Sequence, residues 1–166
     1  MRITGDFNPE ALRNLAKQQK KANAKLANRL KKVNTRTLDE VVHYWHYKKF
    51  QEADCLECAN CCKSISPIVT SQDITRIAKH LKTKPASLIA QYFTIDEDGD
   101  YVFRTQPCPF LANDNYCSIY EHRPRACRDY PLTDRTKFYQ ALDLSVKNTA
   151  ICPVVFEIFQ ELRERF

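Results

Sequence analysis

Apolar residues recur at three- and four-residue steps over the first part of the chain, at Leu12, Leu15, Ala22, Leu26, Leu30 and Val33, with Lys and Arg filling the other positions. That is the period of one helix face. Asn8 followed by Pro9 offers a cap and a first-turn proline, so the pattern predicts an amphipathic helix of about 25 residues opening there. Thr37-Leu-Asp-Glu40 has the form of a capping box and predicts a second helix through Val41, Val42 and Trp45 as far as Lys48. Ile65-Ser-Pro-Ile-Val-Thr70 reads as extended. Thr70 or Ser71 then caps a third helix whose buried side is Ile74, Ile77, Ala78 and Leu81. Pro85 opens a short fourth helix carrying Leu88, Ile89 and Tyr92. Gly99 allows the positive φ of a tight turn, which predicts a small ribbon between Tyr92-Phe-Thr-Ile and Tyr101-Val-Phe-Arg-Thr. Pro153 opens the last helix, with Val155, Ile158, Phe159 and Leu162 on one face. The fold class expected is mostly α with small β-ribbons, an α+β domain stabilised by metal.

Composition narrows the chemistry. The chain of 166 residues has two glycines, Gly5 and Gly99. Loops that cradle nucleotide phosphates need several, which argues against Rossmann and P-loop chemistry. The acidic turn 96–100 lacks the twelve-residue ligand spacing and closing Glu of a calcium loop. Charge is unevenly placed: residues 1–54 hold 12 Lys and Arg against 6 Asp and Glu, and the remainder holds 14 of each. Two regions are expected on this basis, a basic helical extension over 1–54 and a cysteine-rich domain over 55–166. The basic extension suits either a solvated surface or an acidic partner: nucleic acid, a membrane surface or an unidentified acidic protein. No run approaches the ~20 apolar residues of a membrane span, and the first residues contain no apolar leader segment. The expected setting is the cytoplasm, where thiols stay reduced.

The eight cysteines carry the chemistry. Cys55, Cys58, Cys61 and Cys62 fall within eight residues, and Cys108, Cys117, Cys127 and Cys152 follow at wider intervals. All eight are candidate metal ligands, since thiolates suit zinc and iron–sulfur clusters alike. Cys55, Cys58 and Cys61 reproduce the two-residue spacing of bacterial ferredoxins, in which a remote Cys-Pro supplies a further ligand to a [4Fe–4S] cluster. Two such pairs exist here, Cys108-Pro109 and Cys152-Pro153. A tetrahedral zinc site built from two pairs, such as Cys55/Cys58 with Cys108/Cys117, is the alternative. Adjacent Cys61 and Cys62 point in different directions, which suits two different centres or leaves one of the pair as a bystander. Arg123, Arg125 and Arg128 flank Cys127 and would offset thiolate charge, with Glu121 and Asp129 as ion-pair partners. His43 and His46 are weaker candidates, because cysteines suffice. Nothing identifies a nucleophile or general base; Tyr120, His122 and Tyr130 beside the cysteines suit structural roles equally well.

Taken together, Cys55-x2-Cys-x2-Cys-Cys62, Cys108-Pro-Phe-Leu and Cys117-Ser-Ile-Tyr-Glu-His-Arg-Pro-Arg-Ala-Cys127-Arg-Asp-Tyr-Pro resemble the YkgJ-type cysteine-cluster family. The resemblance covers 55–152 and implies a zinc- or iron-chelating domain, often described as containing an Fe–S cluster. Flagellin lysine-N-methylases carry a similar cysteine pattern in a much longer chain. The overall expectation is a cytosolic protein holding an iron–sulfur cluster, with room for a second metal centre and a redox, sensing or maturation role. The alternatives are a zinc-stabilised module that contacts an acidic partner through its basic helix, and a cluster-dependent protein-modifying enzyme.

Overall fold

A computed structural model of the chain describes residues 8–166. Residues 1–7, on which the reading of a missing leader rests, lie outside them. The elements follow in chain order as α1 (Pro9–Leu30), α2 (Thr35–Phe50), α3 (Cys55–Cys58), α4 (Asn60–Ser64), α5 (Ser71–His80) and α6 (Pro85–Tyr92). Strands β1 (Phe93–Ile95) and β2 (Tyr101–Phe103) come next, then α7 (Arg125–Asp129), α8 (Leu142–Asn148) and α9 (Pro153–Arg165). The architecture is mostly helical with one small antiparallel ribbon, as the patterning predicts. Among the described residues no helix is long and apolar enough to cross a membrane.

The chain divides into two compact units. One takes the residues up to Cys58 together with Pro131–Phe166; the other is the continuous stretch Ala59–Tyr130. Within the first unit α1 and α2 share a core with α8 and α9. Leu26, Leu30, Val42, Leu142, Ile158 and Phe159 are fully buried together in that core. The C-terminal apolar face needs a partner face, and the N-terminal helices supply it.

Within the first unit, Asn8 Oδ1 accepts from the backbone N–H of Glu10 and Ala11 at 2.9 and 3.1 Å, the cap read from Asn8-Pro9. The buried stripe of α1 differs from the expected one in its middle. Leu12, Ala16, Asn23, Leu26, Ala27 and Leu30 are buried, whereas Leu15 and Ala22 are exposed. Residues 15 and 22 fall off the face that a 3.6-residue period carries from Leu12 to Leu30. Val33 lies beyond the helix end, packed against the core. Helix α2 starts earlier than the Thr37 box implies: Asn34 Oδ1 accepts from Arg36 and Thr37 N–H at 3.0 and 3.3 Å, and Glu40 pairs with Arg36 instead of closing a box. Asp39 reaches across sequence to accept from the N–H of Lys137 and Phe138 at 2.7 and 2.9 Å. That contact caps the 3-10 turn Phe138–Ala141, which leads into α8.

In the second unit, Thr70 and Asp73 form a reciprocal capping box at the start of α5. Ile74, Ile77 and Ala78 are buried as expected, but Leu81 is 37% exposed because it follows the last helical turn. Gly99 adopts φ +86° in the turn between β1 and β2. Asp96 Oδ1 accepts from the N–H of Asp98 and Asp100, so its carboxylate is engaged in the turn. The extended stretch 65–70 joins the ribbon edge through Val69 N–H to Tyr101 O at 2.7 Å. Phe93, Phe103, Phe110 and Ile119 complete the core around α5 and α6.

Candidate metal centre

The structure sorts the cysteines into two groups, one in each unit. In the second unit Cys62 stands on α4, Cys108 and Cys117 at the ends of a short loop, and Cys127 on α7. Backbone bonds fix this arrangement. Cys108 N–H donates to Cys62 O at 2.9 Å, tying the cysteine-rich helix to the Cys-Pro pair. Leu111 and Cys117 face each other in an isolated bridge, closed by Asn115 at φ +67°. Cys108 and Cys117 both lie against the aromatic core. Cys61 Sγ is 4.0 Å from Cys62 Sγ.

Helix α7 is only five residues long and does not place Cys127 by its own stability. Asp73 does. Its side chain is 2% exposed, and it accepts from Thr70 N and Oγ1, from Arg76 Nη2 at 2.5 Å, and from Arg125 N–H at 3.1 Å. Arg76 Nη2 also donates to Arg123 O at 2.9 Å. One buried carboxylate and one guanidinium thus clamp residues 123–125 against α5. The Thr70-x-x-Asp73 spacing signals the cap, but nothing local signals the reach to Arg125.

Burial pushes Cys108 up to about 11 and Cys127 up to about 12, and the charges of neighbouring cysteines add to both. Cys117 is raised by burial and by Cys62. Cys62 moves the other way, to about 7, because the Cys61 thiol hydrogen-bonds to it. The Arg123 guanidinium opposes the rise at Cys117 and Cys127, which is the role expected of an arginine beside this cluster. That guanidinium also covers the Tyr120 ring at 3.7 Å and donates to Tyr120 O. Arg125 pairs with Asp129 at 3.1 Å, and Arg128 is exposed.

In the first unit Asp54 Oδ1 caps α3 at Leu56 N–H, 2.7 Å away, and so presents Cys55 and Cys58 one turn apart. Cys152 occupies the cap position of α9, with Pro153 in the first turn. Burial lifts the Cys152 thiol to about 12, and Cys55 and Cys58 act on it electrostatically. Cys58 and Cys152 line the same core. Within the first unit Cys55 and Cys58 act on Cys152; within the second Cys61 lies against Cys62, and Cys62, Cys108 and Cys117 act on Cys127.

The other candidates serve packing. His43 Nε2 lies 3.0 Å from Arg135 O, and His46 Nδ1 lies 2.7 Å from the buried Thr133 Oγ1. His122 stacks on His80 with ring centroids 4.1 Å apart. Among the described residues no three His, Cys, Asp or Glu side chains are arranged to hold a metal outright. Protonated, buried thiols have no reason to converge, and a cation both displaces their protons and draws the sulfurs together. The donor set fits such an ion: five cysteines in the second unit, with the Arg123 guanidinium beside Cys117 and Cys127, and three in the first.

A family model described as the CxxCxxCC zinc- or iron-chelating domain matches residues 54–152. No curated protein and no solved structure matches the chain.

Proposed function

Because the chain belongs to the CxxCxxCC family of zinc- or iron-chelating domains, we propose that it holds an iron–sulfur cluster through Cys62, Cys108, Cys117 and Cys127, with a second metal centre at Cys55, Cys58 and Cys152. The carrying observation is that Cys62, Cys108, Cys117 and Cys127 fall within one compact unit, with Cys108 N–H bonded to Cys62 O at 2.9 Å. Four sulfurs without imidazole or carboxylate suit an iron–sulfur cluster or zinc. A bound cluster supplies one-electron chemistry, consistent with a redox, sensing or maturation role. The chain's own contribution is to bury the thiols, to set Arg123 against their charge and to hold α7 in place. Cys62 is ready to ionise near neutral pH, whereas the others must surrender protons on binding, so affinity falls as pH falls.

Protein purified without oxygen should be brown and carry iron with acid-labile sulfide. Cys127→Ser should lose that iron and the visible absorption, while Cys152→Ser should leave both in place and lose only metal bound to the first unit. Colourless protein with stoichiometric zinc and no sulfide overturns the cluster. Unchanged metal content in Cys127→Ser overturns the four-thiol group.

A further inference from the structure

Helix α1 lies ahead of the stretch that the family model matches, and its charge has no part in the cysteine sites. Arg13, Lys17, Lys21, Lys25 and Arg29 follow one another at uniform four-residue steps, and all five are exposed. Lys20 stands beside them, and Glu10 is the helix's one acidic residue. Among the described residues no ion pair engages any of the five. Like charges one turn apart repel and weaken a helix, so the stripe does nothing for the stability of α1. It runs about 24 Å at 1.5 Å per residue.

The opposite face of α1 is committed elsewhere. Leu12, Leu26 and Leu30 are fully buried, and Gln19 accepts from Arg163 of α9 at 2.6 Å. A helix that enters a lipid interface does so with its apolar face, and here that face is occupied. A folded acidic protein would want an apolar or aromatic anchor among the charges. The positions between the five cations are mainly Asn, Gln and Ala, with Leu15 only 37% exposed. What remains is a row of cations along one helix, with no apolar anchor among them. Dense, regularly spaced negative charge is its complement.

We propose that α1 binds the phosphodiester backbone of nucleic acid, independently of base sequence. With five phosphates neutralised, the logarithm of affinity for duplex should fall against the logarithm of salt concentration with a slope of about −4.5. That is roughly a 500-fold loss between 50 and 200 mM salt.

The test is fluorescence anisotropy of the metal-loaded full chain with a mixed-sequence duplex of about 20 base pairs, alongside a poly-glutamate peptide and phosphatidylserine vesicles. The combined Lys17→Glu, Lys21→Glu and Lys25→Glu variant should abolish binding, and Lys→Gln at the same three positions should weaken it and flatten the salt slope. Lys→Arg at the three positions should retain it. Lys48→Glu, on α2, should leave it unchanged. The three sites are exposed, so circular dichroism melts should stay near wild type; if the charge-reversed protein fails to fold, the Lys→Gln protein decides. Salt-insensitive binding, binding unchanged in the Lys→Gln protein, or tighter binding to the peptide or vesicles than to duplex would each overturn the proposal.

Discussion

His46 stands on α2 against Thr133, and its pKa is lowered from 6.5 by burial, with His43 adding to the fall and Asp134 opposing it. A group whose folded pKa lies below its unfolded value favours the fold above the unfolded pKa and penalises it as pH drops through the folded one. Thermal stability should therefore decline as pH falls below about 6.5, the ordinary histidine value. His46→Gln can still bond Thr133 and cannot take up the proton. Melting temperatures of the two proteins from pH 7.5 to 5.5 should diverge, with the variant flatter; parallel curves would exclude His46 as the titrating group. Asp73 is the counterpart on the acid side. Burial alone would raise its pKa, and the bonds from Thr70, Arg76 and the Arg125 N–H outweigh that and hold the carboxyl low.

Elements here are placed by contacts of very different range, and that decides what sequence can reveal. Asn8 before Pro9, Thr70 ahead of Asp73, Gly99 in its turn and Pro153 after Cys152 each act within a few residues, and the elements they mark are where the pattern puts them. The turn Phe138–Ala141 is capped by Asp39, 99 residues away, so no local signal announces it. Equal Cys-x2-Cys steps carry no local signal of which remote sulfur a pair meets. An unbroken helix would carry Cys55, Cys58 and Cys62 on one face. Ala59, buried at φ +45°, breaks it between α3 and α4. Helix α7 is the sharpest case of remote placement. Asp73→Ala should cost about 3 kcal/mol, because it leaves Arg76 without its buried partner and unpins Arg125. The metal content of the second unit should drop with it. Full iron and wild-type melting in Asp73→Ala would show that α7 holds itself.

At the scale of the molecule, the two units differ in how far their cores can sustain them. Among the described residues fourteen are buried together in the first unit's core and nine in the second's. The second has one three-residue ribbon and short helices, so it should depend more on its metal. After chelation, hydrogen exchange should accelerate over α5 to α7 well before it does over α1, α2 and α9; uniform acceleration would mean that the units stand or fall together. The first unit is also discontinuous, leaving at Cys58 and resuming at Pro131. On the ribosome this sets a sequence of assembly. Cys127 emerges 25 residues before Cys152, a delay of about 1–5 s at ordinary rates of synthesis. The continuous unit therefore has all its cysteines before the discontinuous one can close, and on the proposed assignment the Cys62 group would be the first able to take up metal.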